Sequence, residues 1–145
     1  MKIIVQRVKN ATVIINDMHH TAIKEGLLCF VGFCDTDNEH DFQWAIKKLI
    51  NLKLFHGNQS LQNINGELLI VSQFTLFASI KKGNNPSWSR AAKPEIARKM
   101  YHDFITICHE HISDKIKTGV FGADMQIELV NNGPITITID TKNKQ

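Results

Sequence analysis

The stretch LLIVSQFTLFAS at residues 68–79 holds the main clue to the architecture. Residues 68–71 are aliphatic, which is typical of a strand in the interior of a sheet. Ser72, Gln73 and Thr75 follow at once, and each carries a polar group that needs a partner if it is buried. We interpret residues 68–74 as a strand whose end can point these groups, and the neighbouring backbone N–H donors, into a pocket.

Strand-like patterns surround this stretch on both sides. The alternating or unbroken apolar segments are residues 1–8, 11–15, 26–34, 52–56, 125–131 and 135–140. The segment NNGP at 131–134 lies between the last two, and from its residues alone an ordinary hairpin turn is the simpler interpretation.

Two helices are predicted between the strands. Thr36 and Glu39 have the spacing of a capping box and precede an amphipathic stripe, so the first helix is predicted over residues 37–51. Pro94 suits the first turn of a second helix that ends near Ile112. Together the elements indicate an α/β fold, with two helices packed against mixed, partly antiparallel, barrel-like sheet.

Composition limits the class of protein. With 145 residues and 43% hydrophobic content, the chain is expected to form a single domain spanning residues 1–145. Its apolar runs are too short to span a membrane, and Arg7 interrupts the N-terminus where a secretory signal would still be apolar, so we expect a cytosolic protein. The net charge of +3 permits a nucleic-acid partner without indicating one.

Catalytic and metal-binding signatures are missing from the sequence. It contains no Walker loop, GxGxxG, HExxH or GxSxG motif. The potential ligand groups are His19 and His20 in a predicted turn, His102, His109 and His111 on a predicted helix, and Asp35, Asp37 and Asp41. Surface positions and helix capping explain these groups better than a metal, and we expect neither metal nor cofactor. Cys29, Cys34 and Cys108 lack CxxC spacing and are expected to be reduced, mostly buried thiols.

A long basic loop is the other candidate binding feature. The loop SIKKGNNPSWSRAA at 79–92, with Lys93 directly after it, places Lys81, Lys82, Arg90 and Lys93 around Trp88. Such a loop can meet phosphates with its cations while the aromatic ring stacks on a base. From the residues alone, a solvated loop is the better explanation.

Taken together, these segments resemble the D-aminoacyl-tRNA deacylase family. Its two signatures correspond to SQFTL at 72–76 and NNGPIT at 131–136. The similarity extends to IVQRV at 4–8, GLLCFVGF at 26–33, KKGNNPSW at 81–88 and GVFGADM at 119–125. It therefore covers nearly the whole chain in the expected order.

The resemblance implies an enzyme that hydrolyses the ester of a D-amino acid, or of glycine, on the 3′ end of tRNA, in a pocket at a homodimer interface. Ser72 and Gln73 would meet ligand and water, and the N–H groups around Phe74 and Thr75 would face the scissile carbonyl. Thr75 is expected to shape the pocket rather than to act as a nucleophile, because no base is evident to activate it. A non-catalytic nucleic-acid-binding protein is the alternative.

The resemblance also assigns roles to residues outside SQFTL. Phe121 and Met125 would sandwich the terminal adenine, Ala97 would keep the pocket wall clear, and Lys81, Lys82, Trp88 and Arg90 would contact tRNA. Arg7 would steady the segment with Gly133 and Pro134, whose peptide bond is expected to be cis. The carbonyl groups of that segment would reject L-aminoacyl groups, and the protein would not need a membrane.

Overall fold

The computed structural model describes residues 1–112 and 114–144. The strands are β1 Lys2–Ile15, β2 Met18–Ile23, β3 Gly26–Gly32, β4 Glu67–Ser72, β5 Ile116–Thr118 and β6 Met125–Asp140. The helices are α1 Glu39–Asn51 and α2 Pro94–His111, and a short 3₁₀ helix, Phe74–Phe77, follows β4. No helix among these residues is long and apolar enough to cross a membrane.

Strand β1 organises the sheet because it pairs with three other strands, all of them antiparallel to it. Residues 2–8 pair with β3, residues 11–15 pair with β2, and β6 pairs along most of the length of β1. Strand β4 lies parallel to β3, and β5 lies parallel to β4. The mixed, nearly closed, barrel-like sheet with two helices confirms the predicted α/β class.

The core lies on both faces of strands β3 and β4. Leu27, Cys29 and Val31 belong to one apolar cluster, which both helices cover, while Leu28 belongs to a second cluster together with Leu69. Successive side chains of a strand point to opposite faces, so the unbroken apolar run of β3 is buried on each side. Phe33, Phe42 and Phe104 join β3 to the helices through edge-to-face ring contacts with centroids 5.7 to 6.2 Å apart.

Several predicted elements are wrong in detail. Residues 52–56 form no strand; Phe55 makes only an isolated bridge to Gln59. Residues 1–8 and 11–15 belong to one continuous strand, and strands β2 and β5 were not predicted. His19 and His20 therefore lie on β2, while the turn before it is formed by Asn16 and Asp17 with φ of 52° and 59°. Asn and Asp tolerate that conformation better than most residues, which explains the position of the turn.

The start of α1 differs from the prediction as well. Asn38, not Thr36, is the N-cap, and its capping box is closed by Asp41 rather than by Glu39. The Asn38 side chain accepts from the backbone N–H of Asp41, and the Asp41 carboxylate accepts from the N–H of Asn38 at 3.0 Å. The helix therefore starts at Glu39, two residues later than predicted, because the Asn–Asp pair satisfies its first donors.

The two ends of the chain meet beside α1. The buried amine of Met1 pairs with the Asp37 carboxylate and donates to Thr141 Oγ1 at 2.7 Å. Lys142 Nζ lies 2.6 Å from Asp41 Oδ2. The polar sequence TKNKQ at 141–145 predicts a frayed tail, which is wrong for Thr141 and Lys142 because of these contacts; Gln145 is outside the described residues. Asp37 serves this ion pair and not a helix cap.

Candidate functional site

A cavity of about 760 Å³ opens where β3, β4 and the start of α2 meet. Its lining combines residues 30–33 at the end of β3, residues 71–74 at the end of β4, residues 88, 89 and 91–94 with Ala97, and residues 121–125 with Ile127. The cavity has the size of an ordinary small-ligand site and is lined mainly by apolar side chains with a few polar groups among them. It brings together four segments that lie far apart in the sequence.

The strand end at Ser72 provides the polar edge of this cavity. The N–H of Gln73 extends the β4 ladder by donating to the Val31 carbonyl at 2.8 Å, and the chain then turns into the 3₁₀ helix. The backbone N–H groups of Phe74 and Thr75 have no acceptor among the described residues. The strand is therefore shorter than the predicted 68–74, and two unpaired donors lie beside the cavity.

Thr75 is held by its neighbour rather than by a base. Gln73 Nε2 donates to Thr75 Oγ1 at 2.5 Å. Ser72, Gln73 and Phe74 line the cavity, whereas Thr75 does not. The described lining of the cavity contains no histidine. Its one acidic side chain is that of Asp124. Sequence reasoning did not single out Asp124, and a lone surface carboxylate gives no pattern by which to find it.

Phe74 and Trp88 form the mouth of the cavity. Their rings meet edge to face with centroids 5.4 Å apart, and their exposed fractions of 54% and 42% are high for large apolar side chains. Reciprocal backbone hydrogen bonds between Ser79 and Ser87, of 2.8 and 2.9 Å, close the base of the loop just before Trp88. The structure thus places Trp88 at the cavity, and its contact with tRNA stays a prediction.

The loop cations are distributed unevenly. Lys81, Lys82 and Arg90 are exposed and lie outside the cavity lining. Lys93, which the sequence pattern included with the loop but which was not among the predicted site residues, does line it. The structure therefore joins Trp88 and Lys93 to the cavity and leaves the other three cations on the surrounding surface.

Phe121, Met125 and Ala97 all line the cavity, and their roles toward the adenine stay predictions. Phe121 packs against Tyr101 with ring centroids 5.8 Å apart, and Tyr101 donates its phenol hydrogen to the Ile70 carbonyl at 2.9 Å. Burial raises the pKa of Tyr101, so the phenol stays protonated and keeps this bond. Phe121 is therefore supported by α2, which is in turn tied to β4.

Gly119 makes room for Met125. A Cβ added at Gly119 would lie 2.6 Å from Met125 Sδ, closer than real side chains approach. The glycine of GVFGADM thus lets the Met125 side chain lie across the chain toward the cavity.

The segment with Gly133 and Pro134 lies outside the cavity lining of its own chain. Gln6 pairs with Thr136 and Val8 with Asn131, so residues 132–135 bulge from β6 opposite Arg7. The prediction of a turn between two strands is therefore wrong, because β6 continues past the bulge. The predicted cis bond between Gly133 and Pro134 is confirmed.

Arg7 anchors this bulge, as the sequence led us to expect. It is only 4% exposed and donates to three carbonyl oxygens: Asn132 at 2.9 Å, Gly133 at 2.8 Å and Leu54 at 2.5 Å. Gly133 itself is open, since a Cβ added there would meet no atom of the described chain within 4 Å. The bulge is fixed at its base and free on its outer side.

The other titratable groups considered from the sequence show no metal-site geometry. Over residues 1–112 and 114–144, no three His, Cys, Asp or Glu side chains are grouped as metal ligands. The cysteines are free; Cys29 and Cys108 are buried, and burial raises the pKa of both thiols, which keeps them protonated. Cys34 is partly exposed.

Comparison with known proteins gives a consistent result. A family model described as D-Tyr-tRNA(Tyr) deacylase matches residues 4–140. The chain is 52% identical to a D-aminoacyl-tRNA deacylase of Cytophaga hutchinsonii over 98% of each chain. It is 47% identical to one of Flavobacterium psychrophilum and 45% identical to one of Bacteroides fragilis, each over the full length of both chains.

Solved structures agree with this fold. The c-Myc DNA Unwinding Element Binding Protein superposes with a TM-score of 0.90 at 33% identity and covers 97% of this chain and 98% of its own. A probable eukaryotic D-amino acid tRNA deacylase gives a TM-score of 0.81 at 17% identity, over 95% and 97% of the two chains. At that low identity the second likeness supports the fold alone.

Proposed function

The chain belongs to the D-Tyr-tRNA(Tyr) deacylase family, and on that premise we propose that it hydrolyses the ester bond between a D-amino acid and tRNA. The observation that carries the proposal is the single cavity to which both Ser72–Phe74 and the Phe121–Met125 segment contribute. The products are a free D-amino acid and uncharged tRNA. We place this activity in the cytoplasm, where aminoacyl-tRNA is used.

The cavity suits the 3′ terminal adenosine and its amino acid. In our proposal the adenine lies between Phe121 and Met125, with Ala97 leaving space for it, and the ester lies near Ser72 and Gln73. Flat bases stack favourably on aromatic side chains, and such contacts contribute about 1–3 kcal/mol per base. The exposed ring of Trp88 and the charge of Lys93 extend the same surface toward the preceding nucleotides.

Hydrolysis then requires stabilisation of a developing negative charge. A water oxygen attacks the ester carbonyl, the carbonyl oxygen gains the charge, and the bond to the ribose oxygen breaks as that oxygen takes a proton. We propose that the unpaired N–H groups of Phe74 and Thr75 donate to the charged oxygen. Donors held in place before the reaction lower the barrier, because the enzyme does not reorganise as the charge forms.

We assign activation of the water to the substrate rather than to a side chain. The hydroxyl adjacent to the ester on the terminal ribose is close enough to accept or relay the proton. The described cavity lining offers no histidine, and Thr75 is hydrogen-bonded to Gln73 instead of to a base. The protein's contribution is then positioning of the ester together with the N–H donors.

Selection for D-amino acids is assigned to a homodimer. In our proposal Gly133 and Pro134 of the partner subunit enter the cavity, where their carbonyl oxygens lie beside the α-carbon and collide with an L side chain. Three features support this arrangement: the bulge lies outside its own cavity, it is exposed, and Arg7 holds it at its base. Glycine would escape rejection because it has no side chain, so glycyl-tRNA would also be a substrate.

A non-catalytic nucleic-acid-binding role is the second candidate. The structure most like this chain among those described above is called a DNA unwinding element binding protein. Such a role would use the same cavity and the surrounding cations Lys81, Lys82 and Arg90. It predicts salt-sensitive binding without release of product.

A turnover assay with a cavity variant tests the enzymatic proposal. Wild-type protein should release many equivalents of D-tyrosine from D-tyrosyl-tRNA, and Phe121→Ala should lower kcat/KM at least roughly tenfold through the lost stacking contact. Ile80→Ala is the matched control, because Ile80 is 77% exposed and lies outside the cavity lining. Binding of tRNA with no product above the uncatalysed rate would favour the second candidate.

A further inference from the structure

Arg98 lies over the ring of Phe121, a residue of the cavity lining, but is not itself part of that lining. Its Cζ is 4.8 Å from the centroid of the Phe121 ring. Tyr101, three residues later on the same face of α2, contacts the same ring. Since Tyr101 is tied to β4 through the Ile70 carbonyl, Phe121 rests on a fixed support and Arg98 is held beside it by a cation–π contact.

The Arg98 guanidinium also lies close to Gly122, the residue after Phe121. A Cβ added at Gly122 would lie 3.6 Å from Arg98 Nη2. Gly122 lines the cavity next to Phe121, so the charge of Arg98 is located at the rim. Arg98 itself is exposed.

The charge of Arg98 has no hydrogen-bond or ion-pair partner within the described part of the chain. Among the described residues, Arg98 makes no hydrogen bond or ion pair, although Phe121 fixes its position. Its neighbour Lys99, in contrast, pairs with Asp103 at 2.6 Å. An arginine can stack through its flat face and still donate hydrogen bonds from its edge, which a lysine does less well.

We propose that Arg98 is a substrate-positioning residue that binds the phosphate joining the terminal nucleotide to the rest of the tRNA. The inference rests on the proposed function, because it requires a base stacked on Phe121. A base in that position leaves its 5′ phosphate at the rim, where Arg98 and the cavity-lining Lys93 supply positive charge. Paired N–H donors match phosphate oxygens in geometry and charge.

Kinetics with two substrates distinguish a phosphate contact of Arg98 from a general effect of the substitution on the cavity. D-tyrosyl-tRNA carries the phosphate, and the D-tyrosyl ester of adenosine has none. With R98Q we expect KM for D-tyrosyl-tRNA to rise roughly tenfold, while kcat stays within about twofold of wild type. KM for the adenosine ester should change much less. R98K should recover part of the loss. K99Q, which removes one charge from the adjacent position, should leave KM and kcat unchanged for both substrates.

Equal losses of kcat/KM with the two substrates, or an unchanged KM for tRNA with R98Q, would overturn the phosphate assignment. Binding of an uncharged RNA hairpin ending in CCA gives a test that does not depend on catalysis. R98Q should reduce the slope of log Kd against log salt by about 0.7, the value for one phosphate contact in single-stranded RNA. Identical salt slopes for wild type and R98Q would overturn the phosphate contact even if the enzyme is active. Wild-type protein that binds the hairpin but hydrolyses neither ester would contradict the proposed function alone.

Discussion

Arg7 Nη2 donates a 2.8 Å hydrogen bond to the Gly133 carbonyl, across 126 residues of sequence. The same side chain also holds Asn132 and Leu54 through their carbonyls. Replacement by Met would leave these acceptors without a donor in a largely buried place, and we expect the free energy of unfolding to fall by roughly 3 kcal/mol. Denaturant titration measures this change. Lys9→Met, an exposed change on the same strand, should shift it by less than about 0.5 kcal/mol; equal effects would contradict the anchoring role.

Thr75→Ala should keep kcat within about tenfold of wild type, because the Thr75 hydroxyl accepts from Gln73 and has no base to activate it. Removal of a true nucleophile costs several orders of magnitude. Single-turnover deacylation measures the difference, with the exposed Thr106→Ala as control. Detection of an acyl group on Thr75 by mass spectrometry would refute the positioning role.

Subunit mixing tests whether each cavity needs the partner's bulge. Phe121→Ala impairs the cavity, and Gly133→Val fills the space that the bulge would share with the substrate, so each homodimer should be weak. Mixed dimers carry one site with both parts intact. After unfolding and refolding of an equimolar mixture, activity should therefore rise to roughly a quarter of wild type. No gain over the sum of the separate variants would contradict the shared site.

The pair of Asp41 and Lys142 makes stability depend on pH. Burial alone would raise the pKa of Asp41, but hydrogen bonds from Lys142, the Asn38 backbone and Thr141 outweigh burial and lower that pKa. The hydrogen bond to Asp41 raises the pKa of Lys142. The Asp41 contribution is thus present above its unfolded pKa of about 4 and is lost as the pH falls through the lower folded value. The Lys142 contribution is present below about pH 10 and is lost as the pH rises through the higher folded value.

Lys142→Met should therefore lower the free energy of unfolding by about 1 kcal/mol at pH 7, a modest amount because Lys142 is partly exposed and solvent screens the pair. The difference from wild type should shrink as Asp41 becomes protonated in acid. Lys47→Met, an exposed change on α1, is the control. A difference that is constant from pH 7 down to acid would argue against the pairing.

The sequence predicted the fold class and α2 well, because long periodic segments carry a strong signal. It failed where tertiary contacts overrode local chemistry: NNGP has the composition of a turn, yet Arg7 and the pairing of β6 with β1 hold it as a bulge. It also missed the contact of Met1 with Thr141, since a polar tail gives no sign of a buried partner. At the site, SQFTL and GVFGADM were recognisable as motifs, whereas Arg98 lies there only because α2 packs beside Phe121.

Hydrolysis of matched D- and L-tyrosyl-tRNA by the same enzyme preparation tests the central claim most directly. Our account predicts multiple turnover with the D-ester and little hydrolysis of the L-ester above the uncatalysed rate, because the partner's Gly133 and Pro134 carbonyls would collide only with an L side chain. The uncatalysed rates of both esters provide the baseline. Comparable enzymatic rates for the two esters, or no release of D-tyrosine at all, would contradict it.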